Sequence, residues 1–247
     1  RALLDARPLI GWASLRPPLD AAVLGGHGGG MQPVRLPLAT VAQNLAACTA
    51  CELRRTCNAP VMGRGPETAK VVIVGEAPGT EEDGAGRPFV GAAGRLLSDL
   101  LLRAEIDEAQ VYITNAVACW PPAKPGEKGR NGKPSQATVR LCNQHLTAQL
   151  MSIAPRVIVA LGAYAAASLL QQSPGSLKLG HVLSIPLSIA DPWTFTPQPA
   201  AKVEGAALLI GYHPSYLERL GYWTHPDEPA PAATIATLIA AKKRAGL

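Results

Sequence analysis

The chain has 247 residues, of which 47% are hydrophobic and 17% are charged, which is typical of a folded globular protein and not of a disordered tail. It contains no run of about 18 apolar residues and opens with no basic-then-apolar segment, so we expect neither a membrane interaction nor export, and a cytoplasmic location. The net charge of +5 favours a polyanionic partner. The odd number of cysteines, five, favours metal or cluster ligands over disulfides.

The first 40 residues differ in composition from the rest. Proline and glycine interrupt alanine- and leucine-rich stretches, and glycine fills positions 28–30. This pattern predicts a loosely ordered leader over residues 1–40, followed by one domain over residues 41–247. Met31 follows the glycine run, and translation starting there is a hypothesis that the intact mass would test.

Short β-branched runs alternate with helical patterns along the rest of the chain. A helix leads into Cys48, and Ser135 is the predicted N-cap of a later helix. The pattern predicts an α/β fold, a three-layer α/β/α sandwich around a mostly parallel four-stranded sheet. The predicted strands cover residues 70–74, 111–115, 156–161 and 206–212, and the predicted helices cover residues 91–103, 136–153, 163–170 and 232–245. The proline-rich stretch 181–205 fits no predicted element.

Three predicted strands end on segments that carry polar side chains or glycine. They are followed or closed by residues 75–79 (GEAPG), by Asn115, and by residues 213–215 (His-Pro-Ser). Since ligands bind at the carboxyl ends of parallel strands, we expect one site there.

Five segments occur in a distinctive order: a C-x-x-C pair at 48–51, GEAPGTEEDGAGRPFVGAAGRLL at 75–97, YITNAVACWPP at 112–122, PRVIVALG at 155–162 and YHPSYL at 212–217. Together they resemble the iron–sulfur uracil-DNA glycosylases of the thermostable family 4, from about residue 41 to the last residue. The resemblance implies a uracil-DNA glycosylase-like fold. It also implies a monomeric DNA repair hydrolase that flips uracil out of single- or double-stranded DNA and leaves an abasic site.

The resemblance also implies roles for single residues. Phe89 would stack on uracil, Asn115 would read its N3–H/O4 edge, and His213 would donate to O2 of the leaving base. Glu76 would position the base or the attacking water. The other residues expected at the substrate are Gly75, Ala77, Pro78, Gly79, Glu82 and Ser215. Without the resemblance, Phe89 could be a hydrophobic plug, Asn115 a strand-end cap, His213 a structural residue, and residues 81–83 a solvated acidic loop.

Cys48, Cys51, Cys119 and Cys142 match the four cluster-ligand positions of this family. Four thiolates suit a structural [4Fe–4S] cluster, with zinc or unmetallated core cysteines as alternatives. Cys57 is left over as a free structural thiol.

A longer, basic loop at residues 123–134 departs from the family pattern and resembles a related branch that traps uracil-DNA covalently through a histidine. Asn131 stands where that histidine would be, so covalent capture is not expected. Lys124, Lys128, Arg130 and Lys133 of this loop, with Ser215 and Tyr216, are the predicted DNA-binding residues; a solvated lysine-rich loop is the alternative. Two other functions stay open: a uracil-DNA binding protein with little turnover, and a redox or zinc-dependent nucleic-acid factor.

Overall fold

The computed structural model describes residues 35–127, 129, 131–171, 185–189 and 201–247; of 185–189 and 201–205 it describes only the backbone. Most of the predicted leader, residues 1–34, lies outside the described residues, as do Lys128 and Arg130. The domain boundary at residue 40 therefore stays a prediction.

Five strands form one sheet in the order β2-β1-β3-β5-β4. Strands β1, β2, β3 and β5 run parallel, and β4 pairs antiparallel with β5 at the edge. The α/β sandwich with four parallel strands is thus confirmed, and β4 adds an edge strand in the stretch that the sequence left unassigned. The strands are β1 (Val71–Gly75), β2 (Val111–Asn115), β3 (Val157–Leu161), β4 (Ile185–Ile189) and β5 (Ala201–Gly211).

Helices cover both faces of this sheet. Neighbouring residues of a strand point to opposite faces, so each strand contributes side chains to two cores. Ile73 packs in one core with Leu100 of α3 and Leu238 of α7, whereas Val72 packs in the other core with Leu146 of α4. The two cores give the three layers. The helices are α1 (Leu38–Ala46), α2 (Thr80–Ala85), α3 (Ala92–Arg103), α4 (Gln136–Ile153), α5 (Ala163–Leu170), α6 (Pro214–Arg219) and α7 (Pro229–Ala245).

The helix ends agree with the predicted capping. Ser135 accepts a hydrogen bond from the backbone N–H of Thr138 at 3.1 Å and caps α4, as predicted. Helix α7 begins three residues earlier than predicted, with Pro229 in its first turn, where a missing N–H costs nothing. In the described part of the chain, none of the helices combines the length and apolar character needed to cross a membrane.

Candidate active site

The ends of β1 and β2 bring the first site residues together. Gly75 lies opposite Asn115 in the parallel register. A Cβ atom on Gly75 would lie 2.4 Å from Oδ1 of Asn115 and 2.5 Å from Cζ of Phe89. Only a glycine at position 75 lets the Asn115 amide and the Phe89 ring approach the end of β1 so closely. Gly75, Asn115 and Phe89 therefore lie next to one another.

Phe89 is held in a backbone conformation that nonglycine residues rarely adopt, with φ of 54°. The loop that carries it is fixed by Glu82, whose Oε1 accepts from the backbone N–H groups of Val90 at 3.0 Å and Gly91 at 2.8 Å. Its Oε2 accepts from the N–H of Gly79 at 3.0 Å. Left-handed strain at an aromatic residue is a feature of ligand-binding loops. Glu82 thus organises the pocket, with both oxygens already engaged.

The expectation of a solvated acidic loop is wrong for two of its three members. Glu82 and Asp83 are both buried. The carboxylate of Asp83 accepts from the backbone N–H of Asn58 at 3.0 and 3.2 Å, which fastens α2 to the segment after Cys57. Only Glu81 is exposed to solvent.

Asn115 is 6% exposed, and its Oδ1 has no hydrogen-bond partner among the described residues. A strand-end cap would have used this oxygen, so that alternative is wrong. Leaving a buried carbonyl oxygen unpaired costs about 1–3 kcal/mol. Such an atom indicates that a ligand N–H completes the site.

His213 caps the N-terminus of α6, and its Nδ1 accepts from the backbone N–H of Ser215 at 3.2 Å. Since a backbone N–H can only donate, the neutral ring carries its proton on Nε2. Desolvation, and to a smaller extent the charge of Arg219, lower the pKa of His213 to about 4. The ring centroid lies 6.3 Å from that of Phe89. At neutral pH the site therefore holds an uncharged imidazole with one N–H to donate.

Space for this imidazole comes from Gly162, which follows β3. A Cβ atom on Gly162 would lie 2.9 Å from Cβ of His213, and its φ of +91° also favours glycine. Ser215 supports the ring further, because its Oγ lies 2.8 Å from Nδ1. Ser215 thus contacts the predicted catalytic histidine directly.

Glu76 follows β1 and is the carboxylate best suited to acid–base chemistry here. Desolvation raises its pKa to about 7, against the opposing charges of Lys133 and Arg219. Burial, and to a smaller extent the charge of Glu76, raise the pKa of Tyr164 on α5. A carboxylate with a pKa near neutrality suits a general base that activates water.

The remaining predicted residues lie around this centre. Pro78 is buried, and Ala77 packs against the core that contains Cys119. Tyr216 is 41% exposed, and its ring stacks on Tyr212 with the centroids 5.6 Å apart. Tyr216 therefore presents an exposed aromatic ring on α6, three residues after His213.

The basic loop contacts α2 and the segment after β2 through Asn131. Asn131 forms a backbone bridge with Pro122, and its Oδ1 accepts from the N–H and hydroxyl of Thr80 at 3.1 and 2.9 Å. The same oxygen accepts from Nε1 of Trp120 at 2.9 Å. Lys124 and Lys133 are both exposed. The loop therefore meets α2 through Asn131 and leaves both lysines accessible to solvent.

The four predicted ligand cysteines line one pocket: Cys48, Cys51, Cys119 and Cys142. Sγ of Cys142 accepts from the backbone N–H of Ala118 at 3.3 Å, and burial raises the pKa of Cys142 to about 12. Burial and the neighbouring Cys57 also raise the pKa of Cys119. Without a cation, this cavity disfavours the thiolate form that cysteine ligands need.

The described side chains do not form a ready tetrahedral ion site. Zinc–sulfur bonds of about 2.3 Å would bring four sulfurs to within about 4 Å of one another. Among the residues that the structure describes, no three histidine, cysteine or acidic side chains converge in this way on one ion. Four thiols that line one pocket fit the donor set of an iron–sulfur cluster. Cys57 is buried and free.

Sequence reasoning missed several neighbours of the site. Arg219 of α6 influences the pKa of Glu76, and Glu76 influences the pKa of Tyr164 of α5, but no motif marked either neighbour. Gly162 closes a predicted strand, and that position was the one available signal. In the sequence, Asn131 attracted attention only because it stands where the related branch has a histidine. Its hydrogen bond with Thr80 joins residues that are 51 positions apart, which a local motif does not reveal.

The fold and the site together define an α/β protein of the uracil-DNA glycosylase type. The family model described as the uracil DNA glycosylase superfamily matches residues 62–230, and the chain belongs to this family. Among curated proteins it is similar to type-4 uracil-DNA glycosylases. The Thermotoga maritima protein is 37% identical over 179 residues, covering 72% of this chain and 82% of that protein.

Two archaeal type-4 uracil-DNA glycosylases match over shorter stretches. The Archaeoglobus fulgidus protein is 42% identical over 126 residues, which are 51% of this chain and 60% of that protein. The Pyrobaculum aerophilum protein is 42% identical over 136 residues, 55% of this chain and 66% of that protein. Identity at this level supports a close correspondence of the matched regions.

Proposed function

We propose that this chain hydrolyses the N-glycosidic bond of uracil in DNA and leaves an abasic site for other repair enzymes. One arrangement carries the proposal: the unpaired Oδ1 of Asn115 and the ring of Phe89 meet at the end of β1, beside the ring of His213. An aromatic platform, an amide and a neutral donor are the three groups that excision of a flipped pyrimidine needs.

Recognition follows from Asn115 and Phe89. The bond to be cleaved is not accessible inside a stacked duplex, so the nucleotide leaves the helix and its base stacks on Phe89. Oδ1 of Asn115 accepts from N3–H of uracil, and the Nδ2 group donates to O4. Cytosine has an acceptor at N3 and a donor at N4, so it leaves polar groups unpaired and is rejected steeply.

Bond cleavage follows from His213 and Glu76. The sugar passes through an oxocarbenium-like state while the base leaves with a negative charge. The Nε2–H of neutral His213 donates to O2 of the base and stabilises that charge. Glu76, in its ionised form, accepts a proton from the attacking water. Since the proposal assigns no lysine as a Schiff-base nucleophile, the DNA strand stays intact.

The experiment is a glycosylase assay on labelled oligonucleotides with one uracil or one cytosine, followed by alkali. Free uracil, and strand breaks only after alkali, are the expected result. Stoichiometric retention of the DNA without free uracil would favour the binding protein instead. Breaks before alkali would contradict a monofunctional enzyme.

The cysteine pocket supports a structural [4Fe–4S] cluster held by Cys48, Cys51, Cys119 and Cys142. A bound cluster would partly offset the charge of the thiolates and would join the segment after α1 to the segment after β2 and to α4. We expect brown protein with four irons per chain. Cys119→Ala should lose iron and thermal stability, and full iron content in this variant would refute the ligand assignment.

The DNA contacts rest on charge and exposure. Lys124, Lys133 and Tyr216 are exposed, and Lys133 is near enough to influence Glu76. Lys128, Arg130 and Ser215 complete the proposed DNA-binding set. Each neutralised phosphate adds a salt-dependent increment to binding. Removing the lysines one at a time should weaken binding to single- and double-stranded DNA alike and flatten its salt dependence.

The state and location of the protein are further proposals. A single chain contains all residues of the proposed site, which supports a monomer, and sedimentation with and without DNA would test it. Free cysteines suit a reducing compartment, which supports a cytoplasmic location.

A further inference from the structure

Two polar side chains that line the cysteine pocket, those of Arg54 and His145, have no role in the proposed function. His145 of α4 lines the same pocket as the four proposed ligand cysteines. It lies three residues after Cys142, and residues with this spacing share one side of a helix. The imidazole is thus placed beside the group that the thiols would hold.

The imidazole ring of His145 lacks a hydrogen-bond partner. Its Nε2 is buried and has no hydrogen bond to any described residue. Leaving such an atom unpaired costs about 1–3 kcal/mol, and native structures rarely do so. Burial also lowers the pKa of His145, so the imidazole is uncharged at neutral pH and has a single N–H. The apolar and thiol groups around the pocket offer no strong acceptor while the thiols are protonated.

We propose that His145 donates a hydrogen bond from Nε2 to a sulfur atom of the iron–sulfur group in this pocket, and thereby raises its reduction potential and helps to retain it. The inference rests on the proposed [4Fe–4S] cluster. Hydrogen bonds to cluster sulfurs stabilise the more negative, reduced state, and outer-shell partners help to hold the ligands in place. His145 is therefore a positioning residue and not a ligand.

Two variants at this position separate the hydrogen bond from simple packing. His145→Phe keeps a ring but removes the donor, and His145→Gln keeps an amide N–H that can replace it. His225→Phe is the matched control, because His225 is exposed and its ring is bonded to Thr224, far from the cysteine pocket in sequence. The measurements are iron per chain, the midpoint potential from a titration followed by electron paramagnetic resonance, and the rate of iron loss to a chelator.

We expect a more negative potential in His145→Phe and iron loss about 10–100 times faster, the range for outer-shell partners. His145→Gln should recover most of both properties, and the control should match the wild type. If His145→Phe cannot be purified with iron, proton double-resonance spectra of the wild type in H2O and D2O test for the exchangeable proton near the cluster.

Specific results would overturn the inference. A wild-type potential and iron-loss rate in His145→Phe would show that the imidazole does not act on the cluster. Strong nitrogen coupling would make His145 a ligand, and the absence of an exchangeable proton would remove the hydrogen bond. Wild-type protein that contains no iron would instead refute the cluster itself. The assay of uracil excision tests the proposed enzymatic function separately.

Discussion

Glu76 offers a test in which loss of activity and gain of stability should occur together. Its pKa of about 7, in place of 4.5, reflects desolvation of a carboxylate that must be ionised to accept a proton from water. The difference corresponds to about 3 kcal/mol of folding free energy. Ionisation of Glu76 destabilises the folded protein by this amount relative to the unfolded chain. Glu76→Gln removes the charge and keeps the size of the side chain.

The sign of the pH dependence follows from the raised pKa. Below about pH 4.5 the carboxyl is protonated in both the folded and unfolded states, so the variant and the wild type should be equally stable. As the pH rises from 4.5 to 7, the unfolded chain ionises Glu76 more readily than the folded chain does, and this destabilises the wild type. At about pH 8 the variant should be more stable by at most about 3 kcal/mol, or about 6–12 °C in Tm.

The assay pairs thermal unfolding at about pH 4.5 and about pH 8 with single-turnover uracil release. Glu76→Gln should release uracil about 10²-fold more slowly at the higher pH, the lower end of the range for general-base catalysis. Glu81→Gln removes a charge from an exposed neighbour and is the matched control for both measurements. If Glu76→Gln is less stable than the wild type at the higher pH, or if the stability difference is the same at both pH values, the reasoning is refuted.

Three further substitutions test the pocket. His213→Ala should slow uracil release about 10²–10³-fold in single turnovers, and an unchanged rate would remove His213 from its role. Glu82→Gln should lower the free energy of unfolding, measured from the shift in Tm, by about 1.5–3 kcal/mol, because an amide N–H replaces a carboxylate oxygen that accepts from backbone N–H groups. An unchanged free energy of unfolding would contradict the role of Glu82 in holding the loop of Phe89. Gly75→Ala should weaken uracil-DNA binding in a titration and leave the binding of undamaged DNA unchanged, because the new methyl group collides with Asn115; equal binding of uracil-DNA would contradict the shared pocket.

Local pattern was enough to predict much of the fold. Helices α4 and α5 and strand β2 have the predicted bounds, because apolar periodicity and the Ser135 cap are written in neighbouring residues. Strand β4 was missed because Ile185–Ile189 pairs at an edge with a strand that begins at Ala201, and that pairing has no local signal. Helices α2 and α6 are only six residues long, too short for a periodic pattern.

The site was predicted in composition but not in arrangement. Motifs at strand ends indicated Asn115 and His213, and the resemblance to the family indicated Phe89. The positive φ of Phe89, the three backbone N–H groups on Glu82 and the tautomer of His213 all depend on contacts that only the folded chain makes. The raised pKa of Glu76 likewise depends on burial, which a sequence motif does not encode.

Uracil release over many turnovers tests the central claim most directly. Wild-type protein is incubated with an excess of a DNA strand that contains one uracil, and free uracil is counted per molecule of protein. The pocket of Phe89, Asn115 and His213 predicts many uracils per chain and an abasic site for each one. A protein that binds this DNA tightly but releases no uracil would contradict the account.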